Sequence, residues 1–380
     1  MNKKKAVVAG HICIDITPMF PGQPVVKMEE VLAPGKLIHM DGVDIHTGGA
    51  VANTGLAMKK LGTDVSLMGK IGNDAFGQIV LHILEQYDAG KAMIVSENSA
   101  TSYSVVLAVP GIDRVFLHDP GANDTFTRQD LDMDTIAQAA LFHFGYPPLM
   151  REMYQKEGEE LAAMLRQVKA VGTAVSLDMA AIDPASAAAG EDWYKILEKV
   201  LPYVDFFVPS VEELCFMLDR QRYDSWMVRA GGKDVTEILT LEDIAPLADE
   251  VLQLGAKVAL IKCGAPGIYY KTAPKERMQE LCERMSLCME SWAQREGFEH
   301  SYKPEIVRSG TGAGDTSIAA FLTSVLQEES LETALQMATA TGACCVASYD
   351  ALSGLKPFDE LKEKIKRGWE KYITIYGYNR

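Results

Sequence analysis

The protein is a chain of 380 residues with 48% hydrophobic and 23% charged residues, as is typical of folded globular proteins. This length is enough for one large α/β domain, or for a main domain with a smaller addition. The formal net charge of −15 argues against a broad basic surface for nucleic acid or anionic lipid. No apolar run reaches the roughly 18–20 residues of a membrane span, and the N-terminus lacks the features of a signal peptide. We therefore expect a cytoplasmic protein without nucleic-acid or membrane partners.

Short β-branched segments alternate along the chain with longer segments of helical periodicity. Five of the short segments are predicted strands: residues 6–12, 65–71, 174–178, 206–208 and 258–263. Helices between such strands are typical of βαβ units, which form a doubly wound, mostly parallel sheet with helices on both faces. Ligands of such sheets bind at the carboxyl ends of the strands.

Two regions break this alternation. Residues 16–46 and 101–120 carry strand-like patterns and turn signals without an intervening helix, so we expect a small separate sheet that forms a lid over a cleft. Residues 273–304 read as a charged, helical insertion. Its apolar residues share one helical face and are expected to pack in the core: Met278, Leu281, Cys282, Met285 and Met289.

Two features in the first part of the chain suit a polyol. Gly48 and Gly49 open a helix and allow close approach to backbone N–H groups, and Asn53 lies one turn further on. As an isolated feature, such a glycine pair more often marks a close helix contact. Asp15 follows the first predicted strand, where its carboxylate would accept two hydroxyl donors; a capping or turn aspartate is the alternative.

The strongest motif is the glycine-rich stretch 310–315, Gly-Thr-Gly-Ala-Gly-Asp, between a predicted short strand at Ile306 and Val307 and a predicted helix. A glycine turn at a helix N-terminus presents backbone N–H groups at the positive end of the helix dipole, which favours an anion. Asp315 is either a base that takes a proton from an attacking hydroxyl or simply the N-cap of the helix. A dinucleotide fingerprint is disfavoured, because no GxGxxG follows the first strand.

These motifs, in this order, resemble the ribokinase-like, or PfkB, carbohydrate kinases. The resemblance covers nearly the whole chain and includes further segments: residues 70–77, residues 121–123, Asp178, Glu213, Gly264 and Gly267. It implies a single ribokinase-like domain over residues 1–380 that uses ATP and Mg²⁺. The implied reaction transfers the γ-phosphoryl of MgATP to a hydroxymethyl group of a small sugar or sugar acid.

The resemblance also implies roles for individual residues. Asp315 is the expected base, and the anion hole is expected at Gly312, Ala313 and Gly314. The residues expected to hold the sugar are Asp15, Gly48, Gly49 and Asn53. Those expected to contact the nucleotide are Lys262, Gly264, Gly267, Thr311 and Thr339, and Glu213 is expected near the magnesium ion.

Three residues depart from the family pattern. Ser210 stands where the family's Asn-x-x-Glu element usually has Asn, which suggests a different organisation of metal and phosphate. Ser309 stands where an aspartate linked to a monovalent-cation site is common, so we do not expect potassium activation. Lys262 stands where many members have Thr, and either reaches a phosphate or is a solvated surface lysine.

Two other functions stay open at the level of sequence. The acceptor is alternatively a nucleoside, for which the lid would need an apolar or aromatic platform drawn from Phe20, Tyr103, Phe116 or Tyr146. The protein is alternatively a catalytically weak sugar sensor or interaction module, as Ser210, Ser309 and the insertion suggest. The family resemblance also implies a homodimer through the lid, although the lid sequence has no decisive hydrophobic patch.

Overall fold

The computed structural model describes residues 4–112 and 114–372, and the elements below lie in these ranges. The strands are β1 Lys5–Gly10, β2 Cys13–Pro18, β3 Val43–Gly48, β4 Asp64–Met68, β5 Lys70–Gly72, β6 Ile94–Ser96, β7 Tyr103–Leu107, β8 Val115–Asp119, β9 Leu141–Gly145, β10 Ala174–Asp178, β11 Phe206–Phe207, β12 Val258–Lys262, β13 Gly267–Thr272 and β14 Glu296–His300. The helices are α1 Ala50–Lys60, α2 Ala75–Glu85, α3 Met133–Ala137, α4 Arg151–Ala170, α5 Trp193–Val200, α6 Val211–Leu218, α7 Arg220–Ala230, α8 Leu241–Gln253, α9 Lys275–Met285, α10 Met289–Trp292, α11 Ala313–Leu326, α12 Leu331–Cys345 and α13 Phe358–Lys366. Among the described residues, no helix is both long and apolar enough to cross a membrane.

The larger sheet has eight strands in the order β14-β13-β12-β11-β10-β9-β1-β4. The six strands from β12 to β4 in this order are parallel, whereas β13 pairs antiparallel with both of its neighbours, β12 and β14. The predicted doubly wound, mostly parallel sheet is thereby confirmed. The first strand is shorter than predicted, because it ends at Gly10 and the chain continues into β2 of another sheet.

The strands of this sheet bury both of their faces, so alternate residues belong to different hydrophobic cores. In β1, Ala6 and Val8 pack in a core shared with α1, α2 and the helices from α9 to α13. Val7 and Ala9 pack in a second core, shared with the helices from α3 to α8. Helices therefore cover both faces of the sheet, as the alternation of strands and helices predicts.

The second sheet has four strands in the order β3-β2-β7-β8 and confirms the predicted small separate sheet. The prediction of strands over much of residues 16–46 is wrong, however. Residues 19–42 contain no strand and only a short 3₁₀ turn at Met28–Glu30. Pro21, Pro24 and Pro34 interrupt this segment, and proline cannot donate to a strand ladder.

The segment 273–304 contributes to the larger sheet as well as to its helical cover. The stripe on α9 is buried, as the helical spacing predicts, and Trp292 at the end of α10 is fully buried against Phe206 and Phe321. Strand β14 then pairs with β13 and forms one edge of the sheet.

Candidate active site

The carboxyl ends of the parallel strands bring several polar side chains to one edge of the larger sheet. Tyr146 follows β9, Asp178 ends β10 and Lys262 ends β12, and all three line a cleft of about 500 Å³. The predicted site residues that line the same cleft are Glu213, Lys262, Gly264, Gly267, Gly312, Ala313, Gly314, Asp315 and Thr339. The predicted phosphate and nucleotide residues thus come together, except that Thr311 does not line the cleft.

The glycine-rich loop leads directly into α11. Gly312 is the N-cap residue, with φ 72° and no side chain to cap the helix, and a Cβ there would lie 2.4 Å from the Cβ of Ala351. The Ala313 N–H donates to the Gly310 carbonyl at 3.3 Å. The first-turn N–H groups of Gly314 and Asp315 have no partner in the preceding turn, as at any helix start.

The strand predicted before this loop is wrong. Ile306 and Val307 are 51% and 66% exposed and lie in irregular backbone. A β-branched pair forms a strand only where neighbouring strands and a buried face support it, and this pair has neither.

The carboxylate of Asp315 is held by three side chains from two other segments, α1 and the residue after β9. Its Oδ2 accepts from Asn53 Nδ2 at 3.0 Å, and its Oδ1 accepts from the Tyr146 hydroxyl at 2.7 Å and from Thr54 Oγ1 at 3.4 Å. Asp315 is therefore not the N-cap of α11. Burial raises the pKa of this carboxyl, and the hydrogen bonds from Tyr146 and Asn53 oppose that shift.

Lys262 and Asp178 form an ion pair beside the loop. Lys262 Nζ donates to Asp178 Oδ1 at 2.7 Å, and its side chain is only 15% exposed, so the interpretation as a solvated surface lysine is wrong. Its ammonium lies 3.7 Å from where a Cβ of Gly314 would be. Burial raises the pKa of Asp178 to about 8 although Lys262 opposes the shift, and Asp178 Oδ2 is buried without a hydrogen-bond partner among the described residues.

Glu213 and Ser210 form a capping box at the start of α6. Ser210 Oγ accepts from the Glu213 N–H at 3.3 Å, and Glu213 Oε2 accepts from the Ser210 N–H at 2.7 Å. Serine is as good an N-cap as asparagine, so Ser210 preserves this local structure. Beside Glu213, burial raises the pKa of Glu212 to about 7.

The cleft suits a magnesium ion that arrives with phosphates better than one held by protein alone. Among the described residues, no three acidic, histidine or cysteine side chains are grouped as a metal site. Magnesium usually takes one or two carboxylates together with phosphates and water. Glu213 and the unpartnered Oδ2 of Asp178 are carboxylate groups that fit this requirement.

The predicted sugar residues lie on the other side of Asp315, outside the lining of the cleft. Asp15 was expected just after the first strand and lies within β2 of the second sheet, so the alternative of a capping or turn aspartate is wrong. A Cβ at Gly48 would lie 2.2 Å from Asp15 Oδ2, and one at Gly49, where φ is 85°, would lie 2.5 Å from His11 Nδ1. Since Asn53 on α1 bonds to Asp315, these residues adjoin the cleft through Asp315.

No signal in the sequence places Arg114, His11 or His118 at the site. Tyr146, a candidate for an aromatic platform in the lid, instead follows β9 of the larger sheet. Tyr146 adopts the left-handed conformation, with φ 69°, and its contact with Asp315 joins residues 169 apart. Arg114, beside β8, bonds to Thr311 Oγ1 and lies 3.4 Å from Ser309 Oγ, so it links the second sheet to the glycine-rich loop. His11 and His118 lie with their ring centroids 5.2 Å apart.

The fold is that of the ribokinases. The structure of an Arabidopsis thaliana ribokinase complexed with ribose and ATP superimposes with a TM-score of 0.69 at 20% identity, over 96% of this chain and 99% of that one. A Xylella fastidiosa fructokinase with bound ATP gives a TM-score of 0.68 at 19% identity, over 97% of this chain and 100% of the fructokinase. A ribokinase-like architecture with a cleft at the strand ends is therefore confirmed.

Sequence comparison gives the family. The model of the pfkB family carbohydrate kinases matches residues 3–357. Fructokinase-2 of Zea mays is 26% identical over 321 residues, which cover 81% of this chain and 82% of that protein. An uncharacterised sugar kinase of Archaeoglobus fulgidus is 22% identical over 303 residues, which cover 79% of this chain and 98% of that protein. The chain belongs to the pfkB family of carbohydrate kinases and is a phosphotransferase that acts on an alcohol group.

Proposed function

We propose that this sugar kinase transfers the γ-phosphoryl group of MgATP to a hydroxymethyl group of a small sugar or sugar acid, with Asp315 as the general base. The observation that carries the proposal is the position of the Asp315 carboxylate. It is buried between the glycine-rich loop of the cleft and Asn53 on the other side. ATP as the donor is supported by the Arabidopsis ribokinase and Xylella fructokinase structures, which contain ATP.

On the acceptor side, Asp15, Gly48, Gly49 and Asn53 hold the sugar so that one hydroxyl faces Asp315. This hydroxyl replaces Tyr146 as a donor to Asp315 Oδ1. Its oxygen forms a bond to the γ-phosphorus while the bond to the bridging oxygen breaks, ADP leaves, and the hydroxyl proton goes to Asp315. Since water would compete with the sugar, we propose that the second sheet closes as a lid.

On the donor side, Gly264, Gly267 and Thr339 contact the nucleotide, and Lys262 exchanges Asp178 for a phosphate. The N–H groups of residues 312–314 stabilise the charge on the transferred phosphoryl group. Magnesium near Glu213 and Asp178 would supply charge neutralisation of the phosphates. Potassium is not expected to activate the enzyme, because Ser309 offers a hydroxyl, already bonded to Thr311 Oγ1 at 3.0 Å, in place of a carboxylate.

A homodimer through the second sheet is supported by an apolar row on one face of that sheet. Strand pairing aligns Ile45, Ile16, Val105 and Leu117 across all four strands. The two outer residues of the row are exposed, Ile45 by 39% and Leu117 by 53%. A second copy would cover them and the unpaired edges of β3 and β8.

The function is tested by acceptor-dependent consumption of ATP. Fructose, ribose and 2-keto-3-deoxygluconate are compared with adenosine, inosine and guanosine at saturating MgATP. Turnover with a sugar is the expected result, and higher kcat/KM with a nucleoside would favour the nucleoside alternative. Absence of turnover, together with a sugar-induced rise in melting temperature, would replace the proposal with a sugar-sensing role.

A further inference from the structure

His11, just after β1, is a buried histidine, and in the part of the chain that the structure describes neither of its ring nitrogens has a hydrogen-bond partner. His11 is only 2% exposed, and both of its ring nitrogens, Nδ1 and Nε2, are shielded from solvent. Burial, with a smaller contribution from His118, lowers its pKa to about 3, so the ring is neutral. Unsatisfied polar groups of this kind are rare in native proteins because they cost stability, and they call for a functional explanation.

The surroundings of His11 place it on the acceptor side of the site. Its Nδ1 faces Gly49, and its ring centroid lies 6.0 Å from that of Tyr146, which bonds to Asp315. On the other side it meets the ring of His118 in the second sheet. His11 thus lies between the start of α1, which is predicted to hold the sugar, and Tyr146, which donates a hydrogen bond to Asp315.

The second sheet presents a polar row on the face opposite to its apolar row. Strand pairing aligns His46, Asp15, Ser104 and His118 across the four strands, and directly paired residues share a face. His118 Nδ1 and Ser104 Oγ are 3.0 Å apart. Because His118 contacts His11 and the charge of Asp315 acts on Asp15, this row faces the acceptor side.

We propose that His11 and His118 are specificity-determining residues that hydrogen-bond to hydroxyls of the acceptor, and that the acceptor is a neutral polyol or sugar and not an anionic one. The inference rests on the proposed function, which it narrows from sugars and sugar acids to uncharged sugars. The ring nitrogens of His11 gain their partners when the acceptor binds.

The charges around this row support a neutral acceptor. Burial raises the pKa of the Asp15 carboxyl, and the nearby charge of Asp315 adds to that shift. Burial lowers the pKa of His118 as well as that of His11, so neither imidazole supplies a positive charge at neutral pH. A carboxylate or phosphate on the acceptor would therefore be repelled by the two aspartates and would gain no positive partner from the imidazoles. A hydroxyl can hydrogen-bond to the carboxylates and to the imidazole nitrogens.

The first arm of the test measures the acceptor class with the unaltered protein. Fructose and ribose are compared with 2-keto-3-deoxygluconate and fructose 6-phosphate as acceptors, at saturating MgATP. We expect kcat/KM for the better neutral sugar to exceed that for either anion by at least about tenfold, the effect of one to two hydrogen bonds. A preference for either anion would overturn the assignment of the acceptor class.

The second arm compares His11→Leu with the conservative variant His11→Asn. For His11→Leu we expect KM for the neutral sugar to rise about tenfold or more, with KM for ATP within twofold. His11→Asn keeps a donor and an acceptor and should recover part of the loss. In the free protein, the melting temperature of His11→Leu should equal or exceed that of the wild type, because leucine removes buried nitrogens that lack partners.

His143→Leu is the matched control, because His143 is fully buried in β9, also has an unpartnered Nε2 and bonds to Ser176 through Nδ1. It should lower the melting temperature without a selective change in acceptor KM. The role of His11 is overturned if His11→Leu behaves like this control. If no acceptor supports turnover, the proposed function fails, and the melting-temperature shift caused by saturating fructose or ribose then decides. The inference is overturned if the sugar raises the melting temperatures of wild type and His11→Leu equally. It is also overturned if the sugar raises neither melting temperature.

Discussion

Asp315 receives three hydrogen bonds, yet burial still raises its pKa, which is the state expected of a base that is oriented but not inactivated. Replacement by asparagine keeps the size and removes the proton acceptor. We expect Asp315→Asn to lower kcat by about 10²–10⁴ with little change in ATP binding or melting temperature. A coupled assay, calorimetric titration of ATP and thermal unfolding measure these quantities. Asp64→Asn, at an exposed position, serves as the control, and near-native turnover of Asp315→Asn would remove Asp315 from the mechanism.

The Tyr146 hydroxyl donates to the ionised carboxylate of Asp315 and so favours that form. If Asp315 acts as the proposed base, activity requires its ionised form, and we expect kcat/KM to fall as the pH drops through its pKa, which burial raises above the ordinary range. Tyr146→Phe removes a bond to the ionised form and should move this acid limb to higher pH. The profile of kcat/KM against pH in both proteins checks this. A limb that moves to lower pH, or not at all, would contradict the assignment.

The interpretation of Asp315 illustrates what the sequence can and cannot reveal at single residues. The glycine pattern correctly predicts a turn into a helix, because Gly312 adopts a positive φ that favours glycine. It cannot choose between cap and base, since that choice depends on Asn53 and Tyr146, which are 262 and 169 residues away. Burial of Lys262 against Asp178 likewise follows from the tertiary fold alone.

At the scale of elements, the start of α11 depends on one glycine more than on its neighbour. Gly312→Ala meets both a positive φ and a close contact with Ala351, whereas a Cβ at Gly310 has its nearest neighbour at 4.0 Å. We expect Gly312→Ala to shift the loop and lower kcat by about 10²–10³, the effect of losing an anion-hole donor, and to destabilise the fold by about 1–2 kcal/mol. Gly310→Ala should retain most of the wild-type kcat and of the wild-type free energy of unfolding, as measured by turnover and urea unfolding. Equal effects in the two variants would show that Gly312 has no special role.

The elements of the larger sheet were more predictable than those of the second. Strands buried on both faces read as continuous apolar runs, so β10 was predicted with its observed bounds and β12 within one residue. The second sheet is partly exposed and interrupted by prolines, and its strands form only where a partner strand lies alongside. The same dependence on partners explains why Ile306 and Val307 form no strand.

At the scale of the whole molecule, the proposed dimer predicts a change in mass. Leu117→Asp places a charge in the apolar row of the second sheet, at a position 53% exposed in the single chain. We expect this variant to sediment as a monomer where the wild type sediments as a dimer, without loss of monomer stability. Val228→Asp, on α7 and 83% exposed, is the control and should leave the dimer intact. A wild type that stays monomeric at micromolar concentration would refute the dimer.

The bond between Asn53 and Asp315 spans 262 residues of the chain and has a consequence for synthesis on the ribosome. The residues proposed to hold the sugar are made early, whereas Asp315 and the glycine-rich loop are made late. At roughly 5–20 residues per second, the two sets of residues emerge on the order of ten to fifty seconds apart. Because α1 belongs to the same hydrophobic core as α11 and α12, the residues proposed to hold the sugar should reach their final positions only after these C-terminal helices have been made.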